Sequence, residues 1–188
     1  MSVSVLAGSN FDGMLLATLL RGEQERNEVE VRVVSGLTSG YSVARTFLAV
    51  QRVPVAVVID ADSPEPEVAL ERRRRAEEVL GDVAGGVPYR VIVAMPELEV
   101  LFFERPGLLR RVFGEVDGHV MDLARLSPSR AIARLAPGEP PELARFRLLR
   151  AMDAEDIQAL REIEPIRDLL CFIELAHENL RHPAVSEV

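Results

Sequence analysis

Residues 53–62 read VPVAVVIDAD, an apolar run that ends in two aspartates, Asp60 and Asp62. A run of this length, rich in valine and isoleucine, is typical of a strand covered on both faces, as in a parallel sheet. Carboxylates at the C-terminal end of such a strand lie where open α/β sheets bind ligands, and their oxygens suit Mg²⁺ or Mn²⁺. A structural interpretation is equally open, in which Asp60 caps a turn and Asp62 caps the next helix.

On both sides of this strand the chain alternates strands with helices. Strands are predicted at residues 2–7, 29–34, 53–62 and 87–95, and helices at residues 11–20, 41–51 and 64–80. This order predicts an α/β fold with a mostly parallel four-stranded sheet flanked by helices, of the Rossmann-like kind. Beyond Pro96 the pattern is helical, in segments at residues 97–103, 107–113, 127–135, 140–150, 153–162 and 165–180. We therefore expect a core at residues 1–125 and a helical C-terminal extension at residues 126–188 packed on it.

Composition fits a globular protein with a core of its own. The chain has 188 residues, of which 48% are hydrophobic and 28% are charged, which are ordinary proportions for a folded domain. A single cysteine, Cys171, excludes an internal disulfide and fits a reducing compartment. We see neither an apolar run long enough to span a bilayer nor a signal-peptide pattern. The sequence therefore predicts a cytoplasmic protein.

The charged residues limit the possible functions. A formal net charge of -8 argues against a protein that coats nucleic acid by electrostatic attraction. All 22 basic residues are arginine, so mechanisms that need a lysine are excluded. The four arginines at residues 72–75 allow contact with phosphate, but glutamates surround them, and ion pairs within the helix are the simpler interpretation.

Several common enzyme motifs are absent from the sequence. No GxGxxG follows the first strand, no GxxxxGK[ST] occurs, and no serine lies in a GxSxG turn. Dinucleotide binding of the usual kind, P-loop NTPase activity and serine-based acyl transfer are therefore unsupported. A phosphatase of the haloacid dehalogenase type would need its Asp-x-Asp after the first strand and a later lysine, and this chain has neither.

A second acidic pair, Glu97 and Glu99, follows the fourth strand. Because parallel strands end at the same edge of a sheet, these glutamates are expected beside Asp60 and Asp62. Carboxylates this close repel one another unless a cation lies between them, which favours a divalent metal. The structural alternative is an exposed helix start, where the helix dipole favours glutamate.

In combination, these features resemble the TOPRIM fold, in particular the small TOPRIM domains of the OLD (overcoming lysogenization defect) nuclease group. That pattern has Glu-Gly after the first strand, Asp-x-Asp after the third, and an acidic segment after the next. Ala7-Gly8, Asp60-Ala61-Asp62 and the segment ELEVL at residues 97–101 stand at these positions. Asp12 is similar to the acid that follows Glu-Gly. The resemblance covers residues 2–113 and implies that the first and third strands are parallel neighbours.

The resemblance implies a metal-dependent nuclease or phosphodiester hydrolase. Asp60, Asp62 and Glu99 would be its catalytic residues and, with Glu97 and Asp12, would hold Mg²⁺ or Mn²⁺. It also implies an ATPase partner of the ABC or AAA type, binding of nucleic acid such as DNA, and a role in phage defence. We further expect a possible homodimer through the C-terminal helices.

The departure from the family pattern is Ala7, which stands where the family has a glutamate. Alanine can neither move a proton nor bind a cation, so enzyme activity is uncertain. Either a neighbour such as Asp12 replaces the missing carboxylate, or the chain is a catalytically inactive TOPRIM-like binding or assembly subunit.

Overall fold

The computed structural model describes residues 2–181, with the backbone alone at Leu37, Leu180 and Arg181. Its four strands are β1 Val3–Ala7, β2 Val29–Val33, β3 Val55–Asp60 and β4 Tyr89–Ala94. They form one parallel sheet in the order β2-β1-β3-β4. The parallel α/β fold expected from the sequence is confirmed, and so is the pairing of β1 with β3, in which Ala7 lies opposite Val58.

Helices connect the strands and continue after the last of them. They are α1 Asn10–Leu19, α2 Arg21–Glu25, α3 Leu37–Thr46, α4 Pro66–Ala84, α5 Pro106–Phe113, α6 Gly118–Ala124, α7 Pro128–Leu135, α8 Pro141–Ala151, α9 Ala154–Arg161 and α10 Ile166–Arg181. A π-helical segment, Phe47–Gln51, continues α3, and a 3-10 helix, Leu98–Glu104, follows β4. Within residues 2–181, no helix is long and apolar enough to cross a membrane.

The two faces of the sheet are buried in different hydrophobic clusters. Side chains alternate along a strand, so neighbouring residues such as Val57 and Val58 enter opposite clusters. One face of the sheet packs on α3 and α4, and the other packs on α1, the 3-10 helix and the later helices. Coverage on both faces explains why β3 is almost entirely apolar.

Helix α10 packs on the sheet. Its residues Ile166, Leu169 and Ile173 are buried in the same cluster as Val3 and Val5 of β1. Since β-strand and late-helix side chains share this cluster, the described part of the C-terminal extension packs on the α/β core. Residues 182–188 of the predicted extension lie outside the described part of the chain, and the predicted boundary after residue 125 stays a prediction.

The start of α4 differs from the prediction, which put it at Pro64. The helix begins at Pro66, after Glu65 in the N-cap position. Proline is favoured in the first helical turn because its missing N–H is not needed there, and Pro66 meets this condition as well as Pro64 does. Asp62 therefore does not cap α4, and the structural interpretation of that residue is wrong.

Candidate metal centre

Asp60 ends β3 at the carboxyl edge of the sheet. It lies opposite Ala94, the last residue of β4, and its Oδ1 accepts a hydrogen bond of 2.9 Å from the backbone N–H of Leu98. This bond ties the beginning of the 3-10 helix to the end of β3. Glu99, one residue further along, is thereby held beside Asp60.

Asp12 reaches the same edge from the first turn of α1. Ser9, the N-cap residue, accepts a hydrogen bond of 3.1 Å from the Asp12 backbone N–H and donates one of 2.6 Å to Asp12 Oδ2. This reciprocal arrangement is similar to a capping box. Gly13 lets α1 lie close to the sheet, because a Cβ at that position would come within 2.5 Å of Val33 Cγ2.

Asp12, Asp60 and Glu99 form a carboxylate cluster in which each residue has an oxygen within 4.8 Å of the other two. Asp12 and Glu99 are buried, and Asp60 is mostly buried. Of the candidate metal ligands named from the sequence, the structure thus brings Asp12, Asp60 and Glu99 together. We refer to these three residues as the acidic cluster.

Ionisation of the acidic cluster is unfavourable without a counter-charge. Burial, followed by the charges of Asp12 and Glu99, raises the pKa of Asp60 to about 8, although the Leu98 N–H acts in the opposite direction. Burial also raises the pKa of Glu99 to about 6, against the attraction of Arg145. Burial raises the pKa of Asp12 above its ordinary value as well, while Ser9 and Arg145 lower it. At neutral pH Asp60 therefore retains a proton that an isolated carboxyl group would have lost.

Arg145, from α8, forms an ion pair with one carboxylate of the cluster. Its Nε lies 3.1 Å from Glu99 Oε1, and its guanidinium lies 5.7 Å from the ring centroid of Phe11. Arg145 Nε is buried and has no hydrogen-bond partner among the described residues, so the contact with Glu99 is an ion pair without a hydrogen bond. The arginine therefore compensates part of the negative charge.

Asp62 is not a member of the acidic cluster. Its backbone has φ of 49°, in the left-handed region, and its N–H donates to Pro96 O at 2.9 Å. The exposed carboxylate accepts a hydrogen bond of 2.7 Å from Arg72 Nη1. The structure thus separates the two aspartates that the sequence places one residue apart.

Glu97 is also directed elsewhere. Its carboxylate accepts hydrogen bonds from Ser127 Oγ at 3.2 Å and from the backbone N–H of Ser129 at 2.8 Å. Ser129 lies in the first turn of α7, so Glu97 acts as a cap for that helix. Glu97 is half-buried and caps α7 instead of the helix that follows it, so it matches neither the metal-ligand interpretation nor the exposed helix start considered from the sequence.

Sequence reasoning did not identify Ser9 or Arg145 as part of the site. Ser9 had a readable signal, because Ser-x-x-Asp before an apolar helix is typical of a capping box. No sequence signal pointed to Arg145. Helix α8 contains three arginines at similar spacing, and only the tertiary packing brings one of them against Glu99.

Replacing Asp60 by asparagine should stabilise the metal-free protein at alkaline pH. The pKa of Asp60 is about 8 in the folded protein and has a reference value of 3.8, so the folded state binds the extra proton between these limits. Stability should therefore fall as the pH rises from about 4 to about 8. The pKa of Asp60 is raised by about 4 units, and one unit corresponds to about 1.4 kcal/mol. Because Asp60 is not fully buried, we count half of this shift, which gives a decrease in stability of about 3 kcal/mol.

Chemical unfolding at pH 5 and pH 8.5, with a chelator present, measures this effect. Asp60→Asn should lose much of the decrease in stability between the two pH values, because its amide has the shape of the protonated acid and no charge. Asp82→Asn, an exposed substitution near the C-terminal end of α4, is the matched control. Equal pH dependence in wild type and Asp60→Asn would show that Asp60 titrates normally.

Comparison with solved structures finds similarity along almost the whole chain. The C-terminal region of the OLD protein from Xanthomonas campestris pv. campestris is 15% identical, with a TM-score of 0.56, covering 96% of this chain and 98% of that one. A second structure of the same region is 16% identical, with a TM-score of 0.46. No family model and no curated protein matches the chain. At this identity the first similarity shows an OLD-like fold, which agrees with the resemblance seen in the sequence.

Proposed function

We propose that the chain is an OLD-like, metal-dependent nuclease or phosphodiester hydrolase whose acidic cluster holds Mg²⁺ or Mn²⁺. The observation that supports this most is the convergence of Asp12, Asp60 and Glu99 within 4.8 Å at the carboxyl edge of a parallel sheet. Ligands of open α/β proteins bind at this edge. The fold similarity to the OLD C-terminal region agrees with such a role.

The donor atoms of the cluster fit a hard divalent cation. Mg²⁺ prefers oxygen ligands at about 2.0–2.1 Å, so two oxygens on one ion are at most about 4.2 Å apart. The carboxylate oxygens of the cluster lie near this range. Burial and mutual repulsion raise the pKa values of Asp60 and Glu99, and a bound dication would relieve both effects.

The chain's own groups hold the carboxylates in place. Ser9 orients Asp12, the Leu98 N–H orients Asp60, and Arg145 lies against Glu99. A divalent ion bound by these acids would activate water and neutralise charge on the phosphoryl oxygens. Fixed outer partners of this kind contribute to metal affinity, because they keep the ligands in the geometry that the ion needs.

Asp12 is proposed to supply the carboxylate that Ala7 lacks. Ala7 is fully buried at the end of β1, next to the loop that leads into α1. Asp12 follows five residues later and joins Asp60 and Glu99 in the cluster. The cluster thus has three carboxylates without a contribution from residue 7.

A catalytically inactive binding or assembly subunit is the second candidate. The ion pair between Arg145 and Glu99 favours it, because an internal cation partly takes the place of a metal. Ala7 favours it too, since the family glutamate is absent. In this case the acidic cluster would be a remnant whose charge is balanced by Arg145 and by retained protons.

The remaining partner proposals derive from the OLD resemblance. We propose an ABC- or AAA-type ATPase as companion subunit, nucleic acid as substrate, and a role in phage defence. A homodimer through the C-terminal helices also stays a proposal. Helix α10 buries Ile166, Leu169 and Ile173 against its own core and leaves Leu175 exposed, so a contact between two copies through α10 would use the outer face of that helix.

Calorimetric titration with Mg²⁺ and Mn²⁺ tests the metal site. Wild type and Asp82→Asn should bind the ions at pH 8, and Asp60→Asn should not. Metal competes with the proton on Asp60, whose pKa is about 8, so affinity should fall as the pH drops below that value. The expected loss is roughly 50- to 100-fold between pH 8 and pH 6.

A cleavage assay on DNA and RNA in the same buffers then separates the two candidates. Cleavage that needs the ion and disappears in Asp60→Asn supports the hydrolase. Metal binding without cleavage supports the inactive subunit. If wild type binds neither ion at millimolar concentration at pH 8, the metal-centre proposal is wrong.

A further inference from the structure

Beside the acidic cluster lies a cavity of about 170 Å³. This volume is several times the roughly 30 Å³ that a water molecule occupies in the liquid. The residues that line the cavity include Asp12, Asp60, Asp62 and, from α4, Arg72. Gly8 and Gly36 also line it, and a Cβ at either glycine would meet no atom within 4 Å. The cavity is thus an open recess next to the carboxylates.

Arg72 is the cation that borders this recess. Its Nη1 donates to Asp60 O at 3.0 Å and to Asp62 Oδ2 at 2.7 Å. Both bonds use the same nitrogen, and Nε and Nη2 donate no hydrogen bond to any residue in the described range 2–181. The edge formed by Nε and Nη2 is a planar pair of donors, which matches two oxygens of a phosphate group.

Asp62 is placed to hold Arg72 in this orientation. The left-handed backbone of Asp62 and its N–H bond to Pro96 O separate its carboxylate from the acidic cluster. Its side chain is 63% exposed, whereas that of Arg72 is 31% exposed. A surface ion pair of this kind contributes little stability, so stability alone gives a weak reason for it.

We propose that the recess binds the phosphate group of the substrate, that Arg72 contacts this group through Nε and Nη2, and that Asp62 positions Arg72 instead of binding metal. The inference rests on the proposed hydrolase function and names the substrate group that its site binds. Without metal, the acidic cluster offers an anion no unpaired positive charge, because Arg145 lies against Glu99. Phosphate therefore needs both the metal at the acidic cluster and the guanidinium of Arg72, which lines the same recess.

Binding of inorganic phosphate provides a test that does not depend on turnover. Phosphate is titrated into the 188-residue chain with saturating Mg²⁺ and followed by ³¹P NMR, while Mg²⁺ affinity is measured separately by calorimetry. Arg72→Gln should weaken phosphate binding by roughly 10- to 100-fold and leave Mg²⁺ affinity within about twofold of wild type. Arg72→Lys should recover only part of the loss, because lysine keeps the charge and lacks the paired donors.

Two further variants complete the test. Asp62→Asn should keep Mg²⁺ affinity and weaken phosphate binding, because an amide holds Arg72 by at most a neutral hydrogen bond and no longer by an ion pair. Arg73→Gln is the matched control, since Arg73 lies on the same helix and borders a different groove, with Arg90 and Asp168. It should bind phosphate as wild type does. Thermal unfolding of each variant verifies that the fold is retained.

The outcomes distinguish this inference from the proposed function. If Asp62→Asn removes Mg²⁺ binding, Asp62 is a metal ligand and the inference is wrong. It is also wrong if phosphate binding is the same in wild type, Arg72→Gln and Arg73→Gln while Mg²⁺ still binds. Absence of Mg²⁺ binding in wild type would contradict the proposed function itself, and with it the inference. Phosphate binding that depends on Arg72, without any cleavage, would support the recess in an inactive subunit.

Discussion

Asp60→Asn is expected to lower the rate of Mg²⁺-dependent DNA cleavage by more than about 100-fold. Losing an outer partner of a metal ligand typically lowers metal affinity or activity roughly 10- to 100-fold. Asp60 is proposed to be a ligand itself, so its replacement should cost more than that. The substitution preserves the shape of the side chain, and an asparagine oxygen can still accept the hydrogen bond from the Leu98 N–H. The loss should therefore come from the missing charge and not from unfolding.

Asp12→Asn and Glu99→Gln should lower the rate as well, because each removes one of the three charges of the acidic cluster. Glu99→Gln has an additional effect, since Arg145 then loses the only ion-pair partner that it has among residues 2–181. The rate is measured as kcat/KM on a short duplex over a range of Mg²⁺ concentrations. A shift to higher Mg²⁺ requirement indicates weakened metal binding, whereas a lower rate at saturation indicates impaired chemistry.

Asp82→Asn provides the control for these substitutions. Asp82 is exposed near the C-terminal end of α4, the helix that leads back towards the start of β4, and so lies towards the sheet edge opposite the acidic cluster. Its cleavage rate should equal that of wild type. Cleavage that persists at the wild-type rate in Asp60→Asn would show that the acidic cluster is not the catalytic site.

Sheet topology made two of the three carboxylates of the acidic cluster predictable from the sequence, and the resemblance to the TOPRIM pattern indicated the third, Asp12. An apolar strand ending in aspartate, followed by a helix and a second strand ending in glutamates, suffices to place Asp60 and Glu99 at one edge of a parallel sheet. The pairing of β1 with β3 was implied by the resemblance to the TOPRIM pattern, and the structure confirms it. The placement of Asp60 and Glu99 depends on strand direction, which the alternation of strands and helices indicates.

The partner that each acidic side chain contacts could not be predicted from strand order and direction. Asp60 and Asp62 look equivalent in the sequence. Their carboxylates have different partners because residue 62 adopts a left-handed backbone and accepts a hydrogen bond from Arg72 of α4. Glu97 turns to α7 because the free N–H of Ser129 lies there. Each of these partners is distant in sequence, so local patterns contain no information about them.

Asp156→Ala should lower the free energy of unfolding by about 3–5 kcal/mol, the usual cost of removing one partner of a buried ion pair. Asp156 is fully buried and accepts hydrogen bonds from Arg105, Arg111 and the backbone N–H of Asp153. It thereby joins α9 to the N-cap of α5, at Arg105, and to Arg111 within α5. For a chain of this size the melting temperature should fall by roughly 10 °C.

The pH dependence of this contribution has a definite sign. Burial alone would raise the pKa of Asp156, but the hydrogen bonds from Arg105, the Asp153 N–H and Arg111 outweigh it and hold the pKa below its ordinary value of 3.8. A lowered pKa in the folded state means that the stabilisation is complete above the unfolded-state pKa and is lost as the pH falls through the folded-state value. Wild type and Asp156→Ala should therefore differ most at neutral pH and converge in acid.

Glu155→Ala is the matched control for the Asp156 prediction. Glu155 is adjacent, and it also pairs with Arg105 at 3.0 Å, but its side chain is 85% exposed whereas that of Asp156 is fully buried. Exposed ion pairs contribute about 0–1 kcal/mol, so this variant should unfold almost as wild type does in urea. Equal losses in the two variants would mean that burial adds nothing to the Asp156 ion pairs.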